Sequence, residues 1–254
     1  MDRLIINLLG RKRSGKETAY KLMSSLLEQP MEFQFATPLK KFCIEALGLT
    51  YEQCYGSDSC RESPSSFKWD DVEEEIKDLF QPTHPFLTAR QVLQVVGTNL
   101  LRNKFYKRVW AEAAVRTAIT SRALICIFTD GRFLNEIESV NDAKRISPDP
   151  GRCSFKKTLN IRLYRETGLK DAHESETALD LYDICPNQRS IRPEHYVALT
   201  SNGYKQITPR LWKSEKTINV FDYLIDNNHS VSNLQETILT LFDIEHMFME
   251  KSPS

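Results

Sequence analysis

The first hydrophobic segment of the chain is a short apolar run that ends at a glycine. Residues 4–9 read Leu-Ile-Ile-Asn-Leu-Leu and predict a core strand. After Gly10 and a polar loop, apolar residues return at helical spacing over 18–28 and predict an amphipathic helix that ends before Pro30. The chain therefore opens with a strand, a loop and a helix.

The same periodicities predict a series of further strands and helices. Alternating residues over 33–36 predict a short strand, and the apolar run 124–128 is typical of a strand buried on both faces of a parallel sheet. Further strands are predicted over 159–164 and 223–225, and helices from Thr37 and over 88–96, 110–119, 133–140 and 231–242, with Thr88, Ser230 and Ser232 as candidate N-caps. Strands that alternate with helices indicate an α/β fold with a central parallel sheet.

Two stretches lack this periodicity. Residues 51–86 are rich in serine, proline and acidic residues and predict a mobile excursion with one short helix near 70–80, and residues 185–216 also look irregular. We therefore expect a single domain with two insertions at these stretches and a core made of residues 1–50, 87–184 and 217–254.

Composition narrows the class of protein. The 254 residues are 41% hydrophobic and 27% charged, as in ordinary globular proteins, and the net charge of zero argues against stable binding to duplex nucleic acid. No apolar run approaches the roughly 20 residues that span a bilayer. Met1-Asp2-Arg3 leads directly into the first strand, so we expect no signal peptide. The six cysteines are scattered without a Cys-x-x-Cys pair, which predicts reduced thiols in the cytoplasm rather than a zinc site.

The segment from Gly10 to Thr18 carries the most specific chemistry. It reads Gly-Arg-Lys-Arg-Ser-Gly-Lys-Glu-Thr and has the phosphate-binding pattern Gly-x-x-x-x-Gly-Lys between a strand and a helix. Backbone N–H groups of such a loop and the positive end of the helix dipole favour a bound triphosphate. Lys16 would reach the β- and γ-phosphates, and Gly10 and Gly15 would allow a sharp turn. A strand, turn and helix that resemble this loop by chance are the alternative.

The position after the lysine departs from the usual pattern. A Ser or Thr hydroxyl normally follows and binds magnesium, but here Glu17 stands there and the hydroxyl comes one residue later, at Thr18. This would count against a simple nucleoside triphosphatase. Nucleoside monophosphate kinases accept it, since many of them carry Gly-Lys-Gly-Thr.

Other candidate residues follow predicted strands or open helices. Asp130 stands just beyond the strand 124–128, where doubly wound sheets bind ligands and where a second acidic residue approaches magnesium. Arg165 follows the strand 159–164 and precedes a charged loop, as in a lid over the phosphates, unless it forms a surface salt bridge. Lys40 lies in the first turn of a helix and is either solvated or a contact for a phosphate.

Several segments in one order support a resemblance to a known family. Beside the loop ending in Gly-Lys-Glu-Thr, they are Ala-Thr-Pro-Leu-Lys at 36–40, Arg-Gln-Val-Leu-Gln-Val-Val-Gly-Thr-Asn-Leu at 90–100, Asp-Gly-Arg-Phe-Leu-Asn-Glu at 130–136, His-Glu-Ser-Glu at 173–176 and Asp-Tyr-Leu-Ile-Asp-Asn-Asn at 222–228. On these segments the chain resembles the deoxynucleoside monophosphate kinases of tailed bacteriophages, which are related to adenylate-kinase-type enzymes. The resemblance covers most of the core but neither insertion.

The resemblance implies a fold and a reaction. The fold is a three-layer P-loop kinase sandwich with a central parallel sheet, a helical region that binds the nucleoside monophosphate and a short lid. The reaction moves the γ-phosphoryl group of ATP to a deoxynucleoside 5′-monophosphate, with Mg²⁺, as DNA precursor synthesis in the cytoplasm of a bacterial host requires. Such chemistry needs positioning and charge neutralisation more than a covalent catalyst.

The resemblance also implies roles for individual residues. The phosphoryl donor would be bound by Gly10, Arg13, Ser14, Gly15, Lys16, Glu17 and Thr18, and Mg²⁺, directly or through water, by Glu17, Thr18 and Asp130. Arg132 and Arg165 would contact the transferred group, and Glu176 would orient the lid or an arginine. The acceptor would be bound by Lys40, Arg90, Gln94, Trp110 and Arg132.

Two other functions remain open on the sequence. Phosphomevalonate and dephospho-coenzyme A kinases share a similar loop and scaffold, so the acceptor could be another phosphorylated metabolite. A nucleotide-binding module without turnover is the second alternative. The sequence determines neither the accepted bases nor the oligomeric state, and a homodimer stays open.

Overall fold

The structure is a computed structural model that describes residues 3–121, 123–146, 155–166, 178–179, 204–208, 210–214 and 220–247. The chain divides into two compact units. Residues 1–34 and 115–254 form the first, which we call the sheet unit, and residues 35–114 form the second, which we call the helical unit. The sequence-based division into one core and two insertions stays a prediction.

The described elements alternate along much of the chain. The strands are β1 (Arg3–Leu9), β2 (Met31–Phe33), β3 (Pro64–Lys68), β4 (Phe86–Thr88), β5 (Ile125–Gly131), β6 (Phe155–Tyr164), β7 (Tyr204–Thr208), β8 (Leu211–Ser214) and β9 (Tyr223–Asp226). The α-helices are α1 (Lys16–Leu26), α2 (Thr37–Glu45), α3 (Tyr51–Tyr55), α4 (Asp58–Arg61), α5 (Glu74–Phe80), α6 (Ala89–Gln94), α7 (Val109–Thr120), α8 (Leu134–Asn141), α9 (Ala143–Ile146) and α10 (Val231–Ile244), with a 3₁₀ turn at Trp69–Asp71 and a π-helix at Val95–Phe105.

The sheet unit is built on a sheet of strand order β2-β5-β1-β6-β9-β8-β7. Pairing is parallel from β2 through β9, while β8 and β7 continue it antiparallel. Ile6 and Leu8 of β1 belong to the same buried cluster as Met23 of α1 and Ile238 of α10. Leu9 belongs to another cluster with Ile137 of α8. The predicted α/β fold with a central parallel sheet flanked by helices is therefore confirmed.

Strand β1 is also tied to the end of helix α7 by its first residue. The buried guanidinium of Arg3 donates hydrogen bonds of 2.8–3.0 Å to the carbonyl oxygens of Ala118, Ile119, Ser121 and Ala123. The last carbonyls of a helix lack intrahelical partners, and a cation at this end also interacts favourably with the helix dipole. Arg3 thus stabilises the turn that leads into β5.

Helix α10 is anchored at both ends. The Ser230 hydroxyl accepts a hydrogen bond from the backbone N–H of Asn233 at 3.3 Å, which confirms one of the two predicted caps. Beyond the other end, the carboxylate of Glu245 binds Lys157, Lys213 and the hydroxyl of Tyr223. Burial disfavours the charged carboxylate, but these hydrogen bonds outweigh burial and lower the pKa of Glu245 to about 2.

Several element boundaries differ from the sequence-based predictions. Strand β2 lies earlier than 33–36, and β5 runs on to Gly131, so that Asp130 belongs to the strand. Strand β5 extends because its pairing with β1 resumes past a bulge, with Leu9 opposite Gly131. The prediction of irregular structure over 185–216 is wrong for β7 and β8, since Leu211 is fully buried and pairs with Ile225.

The helical unit is more regular than its composition predicted. Residues 51–86 contain three α-helices and strand β3 and end where β4 begins, and the predicted short helix near 70–80 is confirmed as α5. Thr50 and Ser57 cap α3 and α4 through their hydroxyls, and Trp69 is buried in an apolar cluster. Capping and one buried aromatic side chain supply order that apolar periodicity does not reveal.

Helix α6 begins as predicted, but Gly97 does not end the helical structure. Thr88 caps it in a capping box with Gln91, and a π-helix follows directly. A Cβ atom at Gly97 would lie 2.5 Å from the side chain of Leu39, so glycine serves close packing here rather than termination. In the described part of the chain, no helix is long and apolar enough to cross a membrane.

Candidate functional site

The loop between β1 and α1 has the backbone geometry of a tight anion-binding turn. Gly15 has a φ of 94° and Arg13, which is exposed, a φ of 65°, both in the left-handed region. At Gly10 an added Cβ would lie 2.3 Å from Ser14 Oγ and 2.7 Å from the carbonyl oxygen of Leu163. The loop backbone therefore passes where no side chain fits, and both glycines of the motif are required by geometry.

Lys16 is held inside this loop. Its side chain is buried, and Nζ donates hydrogen bonds to the carbonyl oxygens of Gly10 at 2.5 Å and Arg11 at 2.9 Å. Lys16 is the first residue of α1, so its ammonium group lies near the positive end of the helix. The loop thus presents a positive charge where helix N–H groups also converge, and this combination favours an anion.

The hydroxyl of Ser14 is buried in the same loop. It has no hydrogen-bond partner in the described part of the chain. A buried polar group without a partner costs free energy, which an added acceptor or donor would recover. The loop therefore fits a polyoxyanion such as a nucleoside triphosphate.

Asn227, at the end of β9, also contacts the loop, and the sequence motifs did not assign it a role. Its Nδ2 donates a hydrogen bond of 2.8 Å to the carbonyl oxygen of Ser14. The side chain is buried, and its backbone N–H donates to the carbonyl oxygen of Tyr164 at 2.8 Å. The sequence signal for this position was its place just beyond the predicted strand 223–225, within the segment 222–228 that supports the resemblance.

Glu17 lies on the exposed side of α1. Its carboxylate forms an ion pair of 2.7 Å with Lys21, and this hydrogen bond lowers the pKa of Glu17. Thr18 is half-buried on the next position of the helix. The assignment of both as Mg²⁺ ligands stays a prediction.

A second group of oxygen atoms lies at the end of β5. Thr129 is buried, and its hydroxyl donates a hydrogen bond of 2.6 Å to Glu32 of the neighbouring strand β2. Asp130 follows it and is half-buried. Glu32 was not singled out from sequence because it lies on a short edge strand without any motif. No group of three or more metal-ligating side chains occurs in the described ranges.

Arg132 and Arg165 follow β5 and β6. The backbone N–H groups of Arg132 and Phe133 both donate to the buried carboxylate of Glu136, at 2.6 and 2.9 Å. Glu136 thus fixes the turn that carries Arg132 into α8. Arg165 is exposed, and the next residue, Glu166, donates its N–H to the side chain of Asn228 at 2.7 Å. The predicted site residue Glu176 lies outside the described residues, as does most of the predicted lid.

In the helical unit, Arg90 is engaged by two carboxylates. It forms ion pairs with Asp58, at 3.0 Å, and with Glu62, both from the stretch 51–86. Its guanidinium is about one-third exposed. An arginine that already binds two carboxylates has the fork geometry and charge that a phosphate group needs.

The other predicted acceptor residues lie in the same unit with different contacts. The ammonium group of Lys40 lies 4.3 Å from the centre of the Tyr55 ring. Trp110 donates its indole N–H to the carbonyl oxygen of Gly97 at 3.0 Å, and its ring packs against Phe42. Gln94 ends α6 and is half-buried. The structure thus places the loop, Asp130, Arg132 and Arg165 in the sheet unit and Lys40, Arg90, Gln94 and Trp110 in the helical unit.

Comparison with known proteins gives one informative match. No protein-family profile matches the chain. A 100-residue segment is 37% identical to a protein of Acanthamoeba polyphaga mimivirus described as "Putative deoxynucleotide monophosphate kinase". The match covers 39% of this chain and 43% of that relative, less than half of either.

Proposed function

We propose that the protein is a nucleotide kinase that transfers the γ-phosphoryl group of ATP to deoxynucleoside 5′-monophosphates. The observation that carries the proposal is the loop at residues 10–16. It combines two positions without room for ordinary side chains, a buried lysine at the start of a helix and a buried serine hydroxyl with no hydrogen-bond partner among the described residues. These features support binding of the β- and γ-phosphates of a nucleoside triphosphate by the loop.

The donor side of the reaction would be held by the loop. Lys16 would exchange its two carbonyl partners for phosphate oxygens, and the N–H groups of α1 would face the same anion. A magnesium ion would be held by the phosphates together with oxygen atoms of Thr18 and Asp130. Glu17 is a further candidate ligand, but its carboxylate already forms an ion pair with Lys21. When bound, the metal neutralises charge on the transferred group.

The acceptor side rests on residues of the helical unit. Arg90 would bind the phosphate of the monophosphate as a bidentate fork, supported by Lys40, with Gln94 and Trp110 near the nucleoside. The nature of the acceptor follows from the resemblance and from the name of the mimivirus relative, which concerns a deoxynucleotide monophosphate. Arg132 and Arg165 would neutralise the transferring phosphoryl group, and Glu176 would orient the lid or one of these arginines.

The test is an assay of ADP release. The protein is given ATP and magnesium with each deoxynucleoside and ribonucleoside monophosphate in turn, and with phosphomevalonate and dephospho-coenzyme A for comparison. Turnover with one or more deoxynucleotides is the expected result. Turnover only with one of the two metabolites would replace the acceptor, and no turnover despite ATP binding would contradict the kinase itself.

A variant pair connects this activity to the loop. Lys16→Ala is expected to lower kcat/KM by at least about a hundredfold, because it removes a positive charge from the transition state. Lys144→Ala, on the exposed side of α9, is the matched control and should keep normal kinetics. Near-normal activity of a folded Lys16→Ala protein would exclude the loop as the donor site.

A further inference from the structure

Asn227 lies at the point where strand β9 meets the phosphate-binding loop. Its residue is 5% exposed, and its backbone N–H is fixed by the carbonyl oxygen of Tyr164 at the end of β6. The pairing of β6 with β9 therefore fixes the backbone position from which the Asn227 side chain extends. A side chain with so little freedom can hold another group in place at small entropic cost.

The group that Asn227 holds is a peptide unit of the loop. Nδ2 donates to the carbonyl oxygen of Ser14 at 2.8 Å, in a buried environment. Because a trans peptide is planar, its C=O and N–H groups point in opposite directions. A carbonyl of Ser14 that faces Asn227 therefore directs the N–H of Gly15 away from the sheet strand and toward the opposite side of the loop.

Two features of Gly15 make this contact between Asn227 and the loop possible. Its φ of 94° lies in the region that favours glycine, and a Cβ atom added there would lie only 2.1 Å from Asn227 Nδ2. The glycine of the motif is thus needed both for the turn and for the close approach of the asparagine. These two residues form one packed unit although they are far apart in sequence.

We infer that Asn227 is a positioning residue for the donor nucleotide. It sets the orientation of the Ser14–Gly15 peptide, and through it the N–H of Gly15 and the start of α1 with Lys16, before a triphosphate binds. The inference rests on the proposed function, since it assigns the loop to a nucleotide. Pre-orienting an N–H donor increases affinity because the loop need not be ordered on binding.

Asn227→Asp tests the hydrogen bond with little change in size. At neutral pH the aspartate carboxylate cannot donate to the Ser14 carbonyl oxygen and repels it. We expect the affinity for the fluorescent analogue mant-ATP with magnesium to fall by about tenfold or more, the effect of losing one buried hydrogen bond. The KM of the acceptor monophosphate should not change. Asn103→Ala, at an exposed asparagine of the helical unit, should bind mant-ATP as the wild type does.

A pH profile separates positioning from a general packing effect. A protonated aspartic acid regains one O–H donor, so the affinity of Asn227→Asp relative to wild type should recover as the pH falls toward 5. Asn227→Ala, which cannot regain a donor, should show the loss without the recovery. If Asn227→Ala does not fold, the recovery of Asn227→Asp at low pH decides the question. If Asn227→Asp does not fold, a loss of mant-ATP affinity in Asn227→Ala at an unchanged Tm decides it.

The outcomes distinguish the inference from the function on which it rests. A wild-type protein that binds mant-ATP and turns over, together with folded variants of unchanged mant-ATP affinity, would overturn the role of Asn227 alone. A lowered Tm with unchanged affinity would likewise leave Asn227 as a packing residue and overturn the inference. A wild-type protein that binds no nucleotide would contradict both.

Discussion

The guanidinium of Arg90 forms two ion pairs whose geometry resembles its proposed contact with a phosphate. Asp58 and Glu62 are both exposed, and exposed ion pairs contribute up to about 1 kcal/mol each. A bound phosphate would have to displace or share these carboxylates. On the proposed function, Asp58 and Glu62 would therefore compete with the acceptor phosphate for Arg90.

The double variant Asp58→Asn, Glu62→Gln is expected to lower the KM of the acceptor monophosphate several-fold. The KM of ATP should stay the same, and Arg90→Ala should raise the acceptor KM. Steady-state kinetics with one substrate varied at a time measures both values. Glu75→Gln, which removes the exposed ion pair with Lys104 in the same unit, is the control. A higher acceptor KM in the double variant would mean that the two carboxylates hold Arg90 in place for the phosphate.

At the scale of elements, the junction between α10 and the sheet depends on one carboxylate. Glu245 binds Lys157, Lys213 and Tyr223, and its pKa lies near 2 in the folded protein against about 4.5 when unfolded. A lowered folded pKa gives stability that is present above the unfolded value and is lost as the pH falls through the folded value. The stabilising effect should therefore disappear between about pH 4.5 and pH 2.

Glu245→Gln is expected to reduce the free energy of unfolding at pH 7 by about 2 kcal/mol, because the two lysines are partly exposed and solvent screens part of the interaction. The difference from wild type should shrink as the pH falls from 4.5 toward 2. Urea denaturation over this range measures it. Gln235→Ala, at an exposed uncharged position of the same helix, is the control and should show no such trend. A difference that is constant with pH would contradict the pKa assignment.

For the whole molecule, nucleotide binding should appear as a gain in thermal stability. The proposed donor loop belongs to the sheet unit. A ligand at a hundred times its Kd stabilises the folded state by about 2.7 kcal/mol, which corresponds to a Tm increase of about 5–10 °C in a chain of this size. We expect this shift with a non-hydrolysable ATP analogue and magnesium.

Differential scanning calorimetry is the measurement, with Lys16→Ala and Lys144→Ala side by side. Lys16→Ala should lose most of the shift and Lys144→Ala none of it. If the two units unfold in separate transitions, the analogue should move the transition of the sheet unit. A shift that Lys16→Ala retains in full would place the nucleotide somewhere other than the loop.

The parts of the fold that follow local periodicity were predictable. In the run 124–128, Cys126, Ile127 and Phe128 are fully buried as expected, although Leu124 is exposed. The apolar stripe of α10 likewise identifies a buried face, and the glycines and lysine of the loop identify its geometry. The helical structure past Gly97 was not predictable, because the sequence alone does not show that this glycine leaves room for Leu39 rather than ending a helix. Strands β7 and β8 depend on pairing with β9, which no alternation of their own reveals.

The candidate site likewise has a part that the sequence predicts and a part that it does not. Lys16, Gly10 and Gly15 form a contiguous motif, so their proximity follows from the chain itself. The contacts of Asn227 with Ser14, and of Arg90 with Glu62, join distant segments through tertiary structure. One sequence shows the residue types at these positions but not which of them meet.

The central position of β1 has a consequence for how the chain acquires its structure. Leu4 has neighbours at Ile125 of β5 and Lys157 of β6, so the first described strand lacks both sheet partners until much of the chain has been synthesised. At ordinary elongation rates of about 5–20 residues per second, this apolar strand waits roughly ten seconds on the ribosome. The helical unit, a continuous segment of residues 35–114, emerges complete in the meantime. The nascent chain is therefore most exposed to chaperones and to aggregation during the interval before β5 and β6 pair with β1 in the sheet unit.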